Sequence, residues 1–170
     1  MIKDTMTTAL NKQINEELFS SYLYLSMAAQ FEEMALGGFA NWMRVQAQEE
    51  LSHAMKFFDY IAERGGRVEL NAIAEPQKEW NSTIEMFQAA YDHECHISEC
   101  INSLVDLAIK ERDYATQNML QWFVEEQVEE EASADEILQK LKLMGDAQGA
   151  MFMLDRELGS RVFTPPASEA

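Results

Sequence analysis

The sequence has few residues that interrupt helices, and it lacks the long apolar runs that cross membranes. Its 170 residues include 7 Gly and 3 Pro, and two of the prolines, Pro165 and Pro166, are adjacent near the C-terminus. Gly and Pro are the residues least compatible with helix interiors, so this composition predicts a mostly helical chain. No stretch approaches the roughly 18 uninterrupted apolar residues of a spanning helix, so we expect no membrane partner.

Cysteine and positive charge are also scarce. The two cysteines, Cys95 and Cys100, are too few for a disulfide scaffold and fall on different faces of a helical stretch. The N-terminus has no signal-peptide hydrophobic run, which together with reduced thiols predicts a cytoplasmic location. The formal net charge of -17 repels nucleic acid and anionic membranes, so neither is expected as a partner, whereas cations are attracted.

The remaining composition is that of one globular domain over residues 1–170, with 47% hydrophobic and 25% charged residues. The apolar pattern predicts four long helices and a short fifth one, followed by a flexible tail at 159–170. The expected ranges are about 4–34, 39–64, 82–110 and 114–144, which form a bundle over about 4–144, and about 150–158 for the fifth helix.

The connector lengths predict how these helices are arranged. A turn at Gly37-Gly38 makes the first two helices antiparallel, and a turn at Arg112-Asp113 does the same for the third and fourth. The connector at 67–80 can span about 50 Å when extended, which exceeds the roughly 39 Å of the second helix. We therefore expect an all-α fold, a four-helix bundle with one long crossover and a short fifth C-terminal helix. A coiled coil of separate chains fits less well, because the glycine turns stand where hairpins need them.

An acidic run at 125–131 interrupts the apolar rhythm of the fourth helix. The ordinary interpretation of such a run is a solvated face, and we keep it for Glu125 and Glu131. Gln127 and Glu130, however, fall on the inward stripe where apolar residues belong. A carboxylate on the core side needs a partner, and a metal ion is one candidate.

Each of the other long helices also carries a ligating side chain on its core stripe, near its own midpoint. The full set is Glu17, Glu50 with His53, Glu94, and Gln127 with Glu130. A single buried glutamate is more often satisfied by a Tyr, Arg or His neighbour. Because bundle midpoints lie at one level, however, these four placements predict a shared metal centre. The Glu50-x-x-His53 spacing gives one ion two ligands, and carboxylates with at most one imidazole per metal favour iron or manganese over zinc, copper or calcium.

Four segments resemble the bacterial non-haem ferritins: NEELFSSYLY at 15–24, AQEELSH at 47–53, His93-Glu94, and LQWFVEEQ at 120–127. The resemblance covers nearly the whole chain. It implies an iron-storage ferritin with ferroxidase activity, which oxidises Fe(II) with dioxygen at an intrasubunit diiron centre. It also implies that Fe(III) is stored as a ferric oxyhydroxide mineral inside a homo-oligomeric 24-subunit shell.

The same resemblance implies roles for individual residues. The first iron maps to Glu17, Glu50 and His53, and the second to Glu50 as bridge, Glu94 and Glu130, with Gln127 close by. A third, accessory iron site maps to Glu49, Glu126, Glu129 and Glu130. Tyr24 is implied as a catalytic hydrogen-bond or electron donor beside the diiron ligands, and Trp122 as an aromatic residue of similar role.

The departures from related families are also informative. Leu51 stands where bacterioferritins carry a haem-binding Met, so no haem is expected, and the Cys-x-x-Cys knuckles of rubrerythrins are absent. We interpret His93 and His96 as surface histidines and Cys95 as a packed thiol rather than as a zinc cluster. The resemblance places the apolar patch at 151–154 around a four-fold axis.

Two other functions are compatible with the same residues. One is a storage-only cage subunit without an oxidation centre of its own. The other is a small diiron oxidase that acts on an organic substrate, which requires a substrate pocket and a small assembly.

Overall fold

The computed structural model describes residues 1–145 and 147–165, with only the backbone at Gln148. Within this part of the chain there are five helices and no strands. The helices are α1 (Asp4–Glu33), α2 (Gly37–Glu63), α3 (Thr83–Glu111), α4 (Tyr114–Met144) and α5 (Gln148–Leu158). The prediction of a four-helix bundle with a short C-terminal helix is confirmed. Residues 166–170 of the expected flexible tail at 159–170 lie outside the described part of the chain.

The side-chain contacts define an antiparallel bundle. Between α1 and α2, Ser21 donates to the Ala47 carbonyl (2.7 Å). Closer to the turn that joins the two helices, Arg44 pairs with Glu32. Between α3 and α4, Ser98 donates to Glu131 near the middle of both helices, and Lys142 near the end of α4 donates to Gln88 near the start of α3 (3.3 Å). The long crossover returns the chain along the bundle, because it contacts α1 at Asn11 near one end and at Gln30 near the other.

Two amide side chains of α1 hold this crossover on the outside of the bundle. Asn11 donates to the Arg67 carbonyl and accepts from the Glu69 amide, both at 2.9 Å. Gln30 does the same for Trp80, donating to its carbonyl (2.7 Å) and accepting from its amide (2.9 Å). The crossover ends at Ser82, whose hydroxyl accepts from the Glu85 amide as the N-cap of α3, as the Ser-Thr-Ile-Glu pattern predicts.

The prediction that Gly37-Gly38 forms the first turn is wrong. The turn lies at 34–36, where Ala35 takes the left-handed φ of 58°, and α2 begins at Gly37. The first turn of α2 is capped from α5, because the Asp155 carboxylate accepts from the amides of Gly38 (2.8 Å) and Phe39 (3.1 Å). A Cβ added to Gly38 would lie 1.6 Å from the Asp155 carbonyl oxygen. Gly38 is therefore required for close packing of α5 on α2.

Replacing Gly38 by alanine should consequently destabilise the protein by about 3 kcal/mol, because the backbone of α5 has to move away and the Asp155 cap is weakened. Gly37 is the matched control, since a Cβ at that residue would have no atom within 4 Å and alanine there should be neutral or slightly stabilising. Guanidinium unfolding of both variants measures the difference. Equal stability of the two would contradict the role given to Gly38.

The core consists of two apolar clusters with a polar layer between them. One cluster surrounds Phe31, Phe39 and Phe87, and the other surrounds Phe57 and Phe123. Each buried aromatic or aliphatic side chain stabilises the fold by about 2–3 kcal/mol. These two clusters hold the helices at fixed separations, so the polar side chains at mid-height are positioned by the packing above and below them.

Helix α5 packs with one face only. Leu154 and Leu158 are buried against the first cluster, whereas Phe152 and Met153 are more than 70% exposed. The apolar patch predicted at 151–154 therefore divides into a docked half and a free half.

No helix in the described ranges is long and apolar enough to cross a membrane.

Candidate metal centre

The polar layer brings together the six side chains that the midpoint argument predicts. All are buried, none more than 5% exposed: Glu17, Glu50, His53, Glu94, Gln127 and Glu130. Each lies on the inward stripe of its helix, one or two turns from an apolar residue of the adjacent clusters. Burial of four carboxylates at one level is costly unless a cation or hydrogen bonds compensate it.

Glu17, Glu50 and His53 form the first group. One potential ligand atom from each lies within 4.8 Å of the other two, and Glu50 Oε2 lies 3.5 Å from His53 Nδ1. Glu17 Oε1 accepts from Gln13 Nε2 (2.9 Å), whereas Glu17 Oε2 and Glu50 Oε1 are buried and have no hydrogen-bond partner among the described residues. Two unpartnered carboxylate oxygens beside an imidazole fit a bound divalent cation.

Glu94 and Glu130 approach from the other pair of helices. The Tyr24 hydroxyl donates to Glu94 Oε1, and Gln127 Nε2 contacts both the Glu94 carbonyl (3.2 Å) and its Oε2 (3.3 Å). Glu130 Oε2 accepts from Gln46 Nε2 at 2.7 Å. Tyr24 and Gln127 thus fix the carboxylate of Glu94, while Gln46 fixes one oxygen of Glu130.

Burial and mutual repulsion raise the pKa values of the buried carboxyls. Burial, followed by the charge of Glu50, raises the pKa of Glu17, and burial followed by the charge of Glu94 raises the pKa of Glu50. Burial and then the charge of Glu130 raise the pKa of Glu94 to about 8. Burial and the charge of Glu94 raise the pKa of the Tyr24 hydroxyl. Without a cation, Glu94 therefore holds a proton near neutral pH, and the raised pKa values of Glu17 and Glu50 favour their protonated forms as well. A bound metal ion would displace such protons.

The residues assigned to an accessory site are only partly assembled. Glu126 and Glu130 form a second possible metal group with His53, again with ligand atoms within 4.8 Å. Glu49 is instead bound by Arg161, with Nη2 at 2.6 Å from Oε2, and Glu129 is exposed to solvent. Burial raises the pKa of Glu49 to about 7, an effect that the Arg161 charge opposes.

The aromatic residues lie beside the centre. The Trp122 ring packs edge-on against His53 with centroids 5.5 Å apart, and Tyr24 packs edge-on against Trp42 at 6.5 Å. The interpretation of His93 as a surface histidine is wrong. Its ring contacts Ser20 Oγ (2.7 Å) and Tyr24, and burial lowers its pKa to about 4.

Among the neighbouring residues, His96 is exposed and both cysteines are free and half-buried. Within the acidic run, Glu125 is exposed as expected. Glu131 is half-buried and accepts a hydrogen bond from Ser98, so it is not a simple solvated charge.

Three residues that contact the carboxylates are not among those predicted from the sequence: Gln13, Gln46 and Arg161. The two glutamines share a signal that could have found them, because each stands four residues before a ligating glutamate on the same helix face. Arg161 has no such signal, since it reaches Glu49 from 112 residues away along the chain.

Comparison with known proteins gives one consistent result. The family model described as the ferritin-like domain matches residues 7–144. The bacterial non-heme ferritin of Bacteroides fragilis is 45% identical over 161 residues, which cover 95% of this chain and 100% of the relative. The bacterial non-heme ferritin of Staphylococcus aureus is 36% identical, covering 96% and 98%.

Solved structures give the same relationship. An engineered closed form of the Archaeoglobus fulgidus ferritin is 54% identical, with a TM-score of 0.96, over 96% of this chain and 100% of that chain. An open-pore ferritin from the same archaeon is also 54% identical, with a TM-score of 0.94 and coverage of 95% and 100%.

Proposed function

The chain belongs to the ferritin family, and from this premise we propose that it oxidises Fe(II) with dioxygen at the centre of its own bundle. The Fe(III) produced is stored as a ferric oxyhydroxide mineral inside a shell of 24 identical subunits. The observation that carries the proposal is the buried layer in which Glu17, Glu50 and His53 present two unpartnered carboxylate oxygens and an imidazole.

The centre binds two Fe(II) ions as substrates, one on each side of Glu50. The first is held by Glu17, Glu50 and His53, and the second by Glu50, Glu94 and Glu130, with Gln127 orienting Glu94. Each Fe(II) gives up one electron, and dioxygen is the acceptor. Anionic oxygen donors stabilise Fe(III) relative to Fe(II), so this ligand set favours the oxidation.

The neighbours of the ligands orient them. Gln13 and Gln46 each hold one carboxylate oxygen of a ligand, of Glu17 and Glu130 respectively. Tyr24 donates to Glu94, which makes it the aromatic hydroxyl best placed to pass a proton or an electron to the site. Partners of this kind fix ligand geometry and typically change metal affinity or activity by about 10–100-fold when removed.

The assembly into a shell is supported by the surfaces that the single chain leaves uncovered. Phe152 and Met153 on α5 are apolar and exposed, as expected of residues that pack against symmetry-related copies. The cytoplasmic location remains a prediction. A haem group is not part of the proposal, because Leu51 cannot supply an axial ligand.

A small diiron oxidase for an organic substrate is less well supported. A large groove, of about 890 Å³, lies between α2 and α4, near Leu51, Met55 and Trp122. Its lining contains none of the proposed ligands. A substrate bound there would be separated from the centre by the Trp122 ring.

Stopped-flow absorbance after mixing the metal-free protein with Fe(II) in air tests the oxidation. We expect a fast phase that saturates at two Fe(II) per chain, with dioxygen consumed. Light scattering on the same sample should give about 470 kDa, twenty-four times the 19.5 kDa chain. Fe(II) uptake without dioxygen consumption would indicate a storage-only subunit, and a small assembly that oxidises an organic compound would indicate the other alternative.

A further inference from the structure

The C-terminal segment places a cation on a carboxylate of the accessory site. Arg161 follows α5 and forms an ion pair with Glu49 of α2, with 2.6 Å between Nη2 and Oε2. Both side chains are more than three-quarters buried. Among the described residues, no other lysine or arginine forms an ion pair with the four carboxylates assigned to that site.

The position of Arg161 is defined by two further contacts. Its guanidinium lies 4.6 Å from the centre of the Trp42 ring, and Asn41 Nδ2 donates to the Arg161 carbonyl (2.9 Å). The segment that carries the arginine is thus fastened to α2, the helix that carries Glu49. The arrangement is built by the fold rather than by chance contact of two surface charges.

The hydrogen-bond donors of the guanidinium are nevertheless not all paired in the described part of the chain. Its Nη1 is buried and has no hydrogen-bond partner in the described structure. A buried donor without an acceptor destabilises the position it occupies, so the ion pair is easier to displace than a bidentate one. Glu126, Glu130 and His53, by contrast, already lie within 4.8 Å of one another.

We propose that Arg161 is the counter-ion of the accessory site and has to leave Glu49 before an iron ion binds there. The inference rests on the proposed function, in which Fe(II) is the ion that reaches this site. Arg161 then lowers the affinity of the accessory site relative to the diiron centre, so the two central positions fill first. Binding of a third ion releases the C-terminal segment from α2.

Calorimetric titration of the metal-free shell with Fe(II) under anaerobic conditions tests this. The parent should show two tighter sites and one weaker site per chain. Arg161→Gln should tighten the weaker site about tenfold, because the competing cation is removed. Arg161→Lys should stay close to the parent, since it keeps the charge, and Glu49→Gln with Arg161→Gln together should lose the tightening.

Two controls separate the ion pair from general charge effects. Arg44 forms a more exposed ion pair with Glu32 (2.5 Å), which is not assigned to the site, so Arg44→Gln should leave the weaker site unchanged. Lys56 lies over Trp122 and acts on Glu126 only through space, so Lys56→Gln should have a smaller effect than Arg161→Gln. If Lys56→Gln matches or exceeds Arg161→Gln, the specific role of the pair is overturned.

Anomalous scattering at the iron edge, on crystals soaked anaerobically in Fe(II), gives a readout independent of affinity. An ion bound to Glu49 with Arg161 displaced is the expected result, and an ion at Glu126 and Glu130 with the pair intact overturns the inference. An Arg161→Gln titration identical to the parent also overturns it, while leaving the oxidation proposal intact. A parent that binds no Fe(II) at Glu17, Glu50 and His53 overturns both.

Discussion

Replacing Glu50 by glutamine is expected to slow the fast phase of Fe(II) oxidation by at least about 100-fold and to stabilise the metal-free protein. The rate falls because Glu50 is the only proposed ligand shared by both iron positions, and loss of a ligand should exceed the 10–100-fold effect of losing one of its partners. Stability rises because the substitution removes a buried carboxylate whose Oε1 has no hydrogen-bond partner in the described part of the chain and whose pKa is raised by burial. We expect a gain of about 1–2 kcal/mol at pH 8.

The opposite signs of these two effects are what identify a functional residue. Substitution of a residue that only supports the fold lowers activity and stability together. A carboxylate that serves metal binding instead destabilises the metal-free protein, so its substitution lowers activity and raises stability. Stopped-flow oxidation and guanidinium unfolding of the same preparation measure both. Glu63→Gln, an exposed glutamate on the same helix, is the control and should change neither. An active Glu50→Gln variant, or one that is inactive because it is unfolded, would contradict the assignment.

The metal-free protein is expected to lose stability as the pH rises from about 5 to 9, and a divalent cation is expected to restore it. Glu94 has a pKa near 4.5 when unfolded and about 8 when folded, so the folded state binds the extra proton between those values. Its contribution is fully present below pH 4.5 and is lost as the pH rises through 8. At 1.36 kcal/mol per unit, this single group accounts for at most about 5 kcal/mol.

The neighbouring carboxyls act in the same direction. Burial also raises the pKa values of Glu17 and Glu50, and that of Glu49 to about 7, so each adds to the loss of stability over this window. Asp113 acts in the opposite direction, because hydrogen bonds from Thr116 and the Arg64 guanidinium lower its pKa despite partial burial. The change in stability that comes from Asp113 occurs below pH 4, outside the pH range in which Glu94 acts.

Unfolding in guanidinium at pH 5.5, 7 and 8.5, with a chelator or with Zn(II) as a redox-inert cation, measures this dependence. The stabilisation by Zn(II) should grow with pH, reaching about 2.7 kcal/mol when the free ion is at 100 times its Kd. Glu94→Gln should flatten the curve of the metal-free protein. Stability that rises with pH in the absence of metal would show that these carboxyls are not buried as described.

The placement of the centre could be predicted because its determinants are local. A glutamate at the midpoint of a helical stripe is recognisable from periodicity alone, and equal helix lengths bring four such positions to one level. The spacing of Glu50 and His53 places both side chains on one face for the same reason. The N-cap at Ser82 likewise depends on a few adjacent residues, and so does the end of α2, which is followed by Gly65 with a left-handed φ of +72°.

What the sequence by itself determined is therefore the all-α bundle, its long crossover and the level of the polar layer. The tertiary structure decided the pairings between residues far apart in the chain. It pairs Arg161 with Glu49 and Ser20 with His93. It also packs the carbonyl of Asp155 against Gly38, so a glycine that was expected to form a turn instead permits close packing of two helices. Helical periodicity fixes which face a side chain occupies, but the partner on that face depends on how the helices and the C-terminal segment pack against one another.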